Sequence, residues 1–371
     1  NGSTTERIDD IFPGTSGSDP VPLIGSGDSI YFRANNGVDG YELWRVNTTT
    51  LMVGMVDDIE AGAGSSWPAY PVALGSYVYF SAFDPAHGNE LWRTNGVGAE
   101  LVSDTHVGVD GAGTYYLAVL GDWVYFNADD GVDGNELWRT NGTDVEQILD
   151  ICPGADPSTP TGFVVMNDYL YFTADDCVHG RELWRTNGVS FSTELVGESA
   201  VGASGGNPRG AVLFNDYLYF DAASVATGSE LWRSNGTSVA FVADINETAA
   251  DSSYPGFFVP VGDWLYFQAY DGTRWRIWRT NGTATEAVPF PSVEQFISCD
   301  CYDGSISTAG GKLFTTIESA AIGNEFAYLT EPTYALPETN RDTYPWTIAL
   351  ALLAAFTAAG GVFIRRAKVR Q

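Results

Sequence analysis

Along most of its length the chain repeats one pattern of apolar and polar positions, and residues 115–154 carry it most clearly. Tyr115–Leu120 is an apolar run ended by Gly121-Asp122. Trp123–Ala128 (WVYFNA) is rich in aromatic and β-branched residues, the composition of a strand. The turn formers Asp129-Asp130-Gly131-Val132-Asp133-Gly134 follow. Glu136–Thr140 predicts a third strand. Asn141-Gly142 predicts a type I′ hairpin turn, which needs φ > 0 at both central residues. Val145–Ile151 is the fourth strand, ended by Pro153-Gly154. No part of residues 1–330 carries a helical apolar period over a window of about 11 residues.

The third strand recurs as Glu-Leu-Trp-Arg at Glu42–Arg45, Glu90–Arg93, Glu136–Arg139, Glu182–Arg185 and Glu230–Arg233. A degraded copy stands at Arg276–Arg279 and a faint seventh at Glu325–Tyr328. The tryptophans Trp44, Trp92, Trp138, Trp184, Trp232 and Trp278 are 48, 46, 46, 48 and 46 residues apart. Four short meander strands per repeat of this length predict a β-propeller blade. The recurring Tyr-Phe pairs, such as Tyr79-Phe80 and Tyr125-Phe126, read as packing between blades. The repeated Glu and Arg read as an ion-pair ladder between them. The fourth strand often closes on Asp-Ile, and the chain opens on Arg7-Ile8-Asp9-Asp10-Ile11-Phe12-Pro13-Gly14, a similar ending with no strands before it. Thr4–Ile11 is therefore expected to complete the seventh blade, which begins near Ser305, and to close the ring without an exposed edge.

The repeat resembles that of propeller-type surface proteins with a Glu-Leu-Trp-x-x-Asp-Gly-Thr signature. Asp175–Trp184 (DDCVHGRELW) and Thr140–Thr143 (TNGT) carry the likeness, with Asn where that family has Asp. The resemblance covers about residues 1–330. It implies a secreted or surface-displayed propeller and no catalytic residues.

Net charge is −29, and four of the basic residues, Arg365, Arg366, Lys368 and Arg370, crowd the last seven positions. The remainder is strongly acidic, which argues against nucleic acid as a partner. Trp346–Ile364 holds no charged residue, spans a length suited to a bilayer, and precedes that basic cluster. The expected architecture is all-β. Residues 1–330 form an extracellular seven-bladed propeller closed by the N-terminal strand, and 331–345 a juxtamembrane stalk. Residues 346–364 form a transmembrane helix and 365–371 a basic cytoplasmic tail. The start at Asn1 without methionine fits removal of a signal peptide. Together these give a single-pass type I protein of a cell surface or endomembrane, with the lipid bilayer as one partner.

Four cysteines in an exported domain suggest disulfides. Cys152 follows strand four of one blade and Cys177 strand two of the next, on the same edge, so they are the preferred pair. Cys299 and Cys301 share one loop and could pair together, join outside partners or stay free. Sequons stand at Asn1, Asn47, Asn141, Asn235, Asn246 and Asn281, which makes these residues glycosylation candidates, while Asn-Gly is also plain turn chemistry. The acidic loops holding Asp129, Asp130, Asp133, Asp175 and Asp176 are candidate calcium ligands, against a plainer reading as turns shaped by Asp and Gly. No other cofactor is implied. No nucleophile-elbow, zinc-protease, P-loop or dinucleotide motif occurs.

The sequence thus favours a membrane-anchored, non-catalytic propeller scaffold that binds an extracellular or lumenal protein or glycan, or joins a larger assembly. Its binding face is expected where strands two and four end. The alternative is an extracellular propeller enzyme acting on polysaccharide with carboxylates drawn from several blades.

Overall fold

Each apolar run of the repeat forms one strand of an antiparallel meander. The third sheet consists of Tyr115–Leu120, Trp123–Asp129, Asn135–Thr140 and Val145–Leu149, paired in chain order. The computed structural model describes residues 6–189, 192–248, 251–288, 306–309, 312–319 and 323–329. Six four-stranded sheets occupy residues 21–57, 69–103, 115–149, 161–197, 209–243 and 256–287, followed by a three-stranded sheet at 307–329. The chain divides into two compact units, one with Asn1–Val178 and Trp184–Glu194, the other with His179–Leu183 and the described part of Leu195–Asp342. The division runs through the fourth sheet. Within each unit the four-stranded sheets repeat one loosely propeller-like packing scheme.

Strand register sorts the signature residues onto two faces. Trp138 lies opposite Phe126 and Arg139 opposite Tyr125, and the same pairs recur as Trp92 with Phe80 and Trp232 with Phe220. Tyr79 of the second sheet packs against Val124, Phe126 and Ala128 of the third, and Tyr219 of the fifth against Leu265, Phe267 and Ala269 of the sixth. The aromatic repeat is therefore the glue between sheets.

The repeated Glu and Arg do not form a ladder with each other. Three residues apart on a strand, they point to opposite faces. Arg139 pairs with Glu146 on strand four of its own sheet and sits 4.0 Å over the Trp123 ring. Arg93 donates from Nη1 to the Gly142 carbonyl in the next sheet at 2.7 Å. The buried Glu136 instead accepts from Ile151 N (2.9 Å), Ser158 N (2.8 Å) and Ser158 Oγ (2.6 Å). Glu42 and Glu230 repeat this with Ile59 and Ser66, and with Ile245 and Ser253. One carboxylate thus binds the end of its own fourth strand to the chain entering the next sheet. The Ser158 carbonyl then accepts from Asp175 N of that next sheet at 3.0 Å.

The Asn-Gly turns also differ from the two-residue type I′ form. Residues 141–144 make a four-residue loop in which Asn141 Oδ1 accepts from Thr143 N and Asp144 N, and positive φ falls on Gly142 alone. Glycine is favoured because φ at Gly142 is +90°, and a Cβ there would also crowd Tyr79 Oη and the Arg93 guanidinium of the preceding sheet.

Ring closure by the N-terminus is overturned. Residues 6–11 form no strand. Arg7 and Asp10 pair in solvent at 3.1 Å, and Ile8 is 55% exposed. Phe12 lies against Gly37 in a turn of the first sheet, which ties this segment to sheet one. The seventh sheet has no fourth strand among the described residues. The transmembrane expectation is corrected as well. No helix occurs among the described residues, and none there is long and apolar enough to cross a membrane. Trp346–Ile364 lies outside them, so the single-pass topology, the surface or endomembrane placement and the bilayer as a partner have no support in the structure.

Replacing Glu136 with Ala strands three buried donors and is expected to cost about 3 kcal/mol or more. Replacing Glu146, whose side chain is 48% exposed, should cost less than about 1 kcal/mol. Urea denaturation of the two variants checks this, and equal losses would contradict the assigned role of Glu136.

Candidate functional site

The first strand of each sheet begins at a strained place. Asp19 (φ 44°) adopts left-handed backbone ahead of the first sheet, and in four later sheets so does the residue after the Glu-bound position, at Trp67 (50°), Thr159 (46°), Asn207 (49°) and Tyr254 (48°); Pro follows each. Its N–H is held by the preceding sheet, as Trp67 N by the Tyr41 carbonyl (3.3 Å) and Thr159 N by that of Asn135 (2.9 Å). Three residues later a bulge interrupts strand one of each four-stranded sheet. In the fourth and fifth sheets its left-handed residue is Gly162 or Gly210, and in the second, third and sixth it is Tyr70 (52°), Tyr116 (54°) or Phe257 (55°). A bulky residue in left-handed backbone is a true outlier, costing about 1–3 kcal/mol.

These aromatics are not buried. Trp67 is 50% exposed, Tyr70 42%, Tyr115 40% and Tyr116 40%. In the first unit Tyr41 stacks on Trp67 with centroids 4.6 Å apart, and Tyr70 packs against Tyr115 (5.7 Å) and Tyr116 (5.4 Å). The Arg33 guanidinium lies 5.2 Å from the Trp67 centroid, and Tyr41 Oη donates to Asp19 Oδ2 at 3.1 Å. In the second unit Tyr254 and Phe257 repeat the pair made by Trp67 and Tyr70. Bulges re-aim side chains and cluster next to active sites. An exposed aromatic face carried on such strain is a candidate binding surface.

The residues singled out from sequence lie elsewhere. Asp129 Oδ1 accepts from Gly131 N, and Asp130 Oδ1 from Val132 N and Asp133 N. Asp175 Oδ1 accepts from Cys177 N and Asp176 Oδ1 from Val178 N. These are side-chain-capped turns, and they do not converge on one point. Among the described residues the group with metal-ligand proximity is Cys152, Asp156 and Cys177, and its thiols are joined in a disulfide with Cα atoms 5.4 Å apart. Asn141, Asn235 and Asn281 are exposed, and Asn47 is half-buried. Asn246 is 3% exposed and donates to the Ser252 carbonyl. Asn1, Cys299 and Cys301 lie outside the described residues. The loops at Pro85–His87 and Gly272–Arg274 are closed on themselves by Asp84 and Asp271. The aromatic face shares their edge of the sheets but comes from first strands. Its sequence signal is an aromatic residue where sister repeats place Gly, Thr or Asn.

One buried carboxylate departs from the pattern. Glu90 accepts from Thr105 N, His106 N and Ala112 N, with Ala112 standing where Ser66 and Ser158 supply a hydroxyl. Desolvation, only partly offset by these N–H groups, pushes Glu90 up to about 7.

No family model matches the sequence, and no curated protein matches it. Among solved structures, a Mycobacterium tuberculosis puromycin-hydrolyzing peptidase aligns at TM-score 0.48 and 10% identity over 84% of this chain and 50% of its own. The GH74 xyloglucanase of Xanthomonas campestris aligns at 0.45 and 13%, over 84% of this chain and 54% of its own. The β-propeller domain of the Trilobed protease from Pyrococcus furiosus, of open velcro topology, aligns at 0.42 and 10%, over 84% and 94%. The chain spans about half the length of the first two. Likenesses this distant do not bear on activity. The membrane-anchored scaffold finds no support, since no helix among the described residues could serve as its anchor.

The raised Glu90 fixes the sign of a pH effect. Between its ordinary value near 4.5 and about 7, the folded state holds a proton that the unfolded state has released. Stability therefore falls as pH rises through that window. Ala112→Ser is expected to make the melting temperature fall less steeply from pH 4.5 to 7. An unchanged slope would show that the missing hydroxyl is not what sets Glu90 apart.

Proposed function

We propose that this chain acts on a polysaccharide, as a propeller-type enzyme that holds the sugar chain on the aromatic face of its first unit. The observation that carries the reading is the exposed set Trp67, Tyr70, Tyr115 and Tyr116, two of them at bulge positions where sister sheets use glycine. Pyranose rings present flat C–H faces that aromatic rings stack upon, and their hydroxyls need polar partners at the rim. Asp19 and the Tyr41 hydroxyl supply such partners. Large amphipathic rings held rigidly give contact area at low entropic cost. The Cys152–Cys177 disulfide fits an oxidising, exported setting.

Glycoside hydrolysis asks for an acid and a carboxylate about 5–9.5 Å apart across the scissile bond. The repeated glutamates are unavailable for this, since their oxygens are committed to buried N–H and O–H groups. Asp19 is the exposed carboxylate that contacts the aromatic face through Tyr41. It is the first position to test for a chemical role.

The deciding experiment incubates the full chain with neutral and acidic polysaccharides, measuring affinity and newly formed reducing ends. Binding with a rise in reducing ends supports the reading, and binding without it removes the enzymatic half. No binding to any polymer rejects it altogether.

The strained positions give a sharper check. Tyr70→Gly and Tyr116→Gly relieve left-handed strain, so stability should hold or rise by up to about 1 kcal/mol. Affinity for the sugar chain should fall about two- to tenfold, as loss of an aromatic contact worth about 0.5–1.5 kcal/mol requires. A loss of stability in these variants would mean that the rings serve the fold.

A further inference from the structure

The polar half of the aromatic face has a cation that no carboxylate among the described residues pairs. Arg33 stands on strand two of the first sheet, opposite Val21. The same register position holds Ser81, Asn127, Thr173, Asp221 and Gln268 in the sheets that follow. Several of these serve their own sheet. Asn127 Oδ1 accepts from Tyr115 N at 2.7 Å, and Asp221 pairs with Arg209 at 2.9 Å. Arg33 makes no ion pair with any described residue, and its Nε is buried without a hydrogen-bond partner. By contrast Arg93, Arg139 and Arg185 of the same unit are each matched by a glutamate on strand four. Arg45 of the same unit also lacks a carboxylate among the described residues, but it belongs to the repeated motif and lies against Gly96 of the next sheet, whereas Arg33 has no basic counterpart in the repeat.

Its position says what it could take. The guanidinium lies against the exposed Trp67 ring, which stacks on Tyr41. A sugar ring laid on this face would bring its substituents toward the Arg33 donors. A neutral sugar offers hydroxyls there. A uronic acid offers a planar carboxylate that can accept two parallel N–H bonds from the fork, the stronger and more specific arrangement. Resting on the polysaccharide reading above, we propose that the bound polymer is a polyuronate, with one uronate carboxylate held by Arg33 while its ring stacks on Trp67. Asp19 is the opposing charge at this rim. Its carboxylate is engaged by the Tyr41 hydroxyl at 3.1 Å, and repulsion from it limits how closely a second uronate approaches. The acidic surface repels a polyanion beyond the contact, a penalty that salt screens within roughly 8 Å at 0.15 M ionic strength.

The test titrates the full chain with oligogalacturonate and with a neutral β-glucan oligomer of equal length, at low and moderate salt. The uronate oligomer is expected to bind at least tenfold more tightly at moderate salt. Arg33→Gln should bring the ratio between the two oligomers close to one, and Asp19→Asn should widen it. A neutral oligomer bound as tightly as the uronate, in a manner lost on Trp67→Ala, overturns the uronate proposal and leaves the polysaccharide reading standing. An uronate preference that survives Arg33→Gln also overturns it. If neither oligomer binds, both fail together. The melting temperature of Arg33→Gln is measured alongside, and a preference lost with that temperature unchanged assigns the effect to recognition rather than folding.

Discussion

The structure depends on a buried carboxylate that belongs to two sheets at once. Glu42, Glu136 and Glu230 lie at the start of strand three, fully shielded from water, and each gathers N–H groups from the end of its own sheet and from the segment that opens the next. An ionised side chain without these donors would be very costly to bury. With them, the link between sheets becomes a hydrogen-bonded object rather than a loose loop. The serine it holds passes the connection on, since its carbonyl accepts from strand two of the following sheet. Glu182 does the same work with a changed partner set, taking Ser199, Ala200 and Gly206 N–H groups instead.

Pinning the link on both sides has a consequence one residue later. The chain must turn onto strand one in the space left to it, and it does so in left-handed backbone with a proline following. Asp and Asn tolerate that conformation and tryptophan does not. Where Trp67 or Tyr254 occupies the place, the strain is held by the glutamate splice behind it. The exposed rings therefore project from a backbone that cannot relax, which is what a stacking surface requires if it is not to lose its order when ligand arrives. The same logic applies at the bulge. A Cβ at Gly162 or Gly210 would meet nothing within 4 Å, so the obstacle to a side chain there is backbone conformation and not space.

The strand plan could be read from the sequence because it rests on short-range chemistry. Aromatic and β-branched runs between turn formers gave Tyr115–Leu120 and Trp123–Asp129 almost to the residue. Long-range partnerships were less legible. The repeated Glu and Arg looked like partners because opposite charges recur together, yet strand geometry sends them to opposite faces, and the acceptors' true partners are backbone groups that no side-chain pattern reports. The expected closure by Thr4–Ile11 rests on likeness to a strand ending. In the structure residues 6–11 are solvated, and Phe12 follows them into a turn of sheet one. The aromatic face was missed for a different reason. The repeat encodes the scaffold, whereas the face consists of residues that break the repeat.

That distinction also orders the charges. Most of the arginines that recur with the motif are matched by a carboxylate or a neighbouring carbonyl, so they stabilise sheets and leave little field outside them. Arg33 stands at a position with no basic counterpart in the other sheets, and what it meets is the Trp67 ring rather than a carboxylate. Leaving the Arg33 Nε buried without a hydrogen-bond partner costs stability, and the cost is tolerable in a framework already fixed by several buried carboxylate splices. A fold built from near-identical units can bear a few unmatched groups on one unit, because the interactions that hold that unit are duplicated in its neighbours. The specificity of such a protein is then carried by its exceptions, and here the exceptional cation and the exceptional rings meet at Trp67.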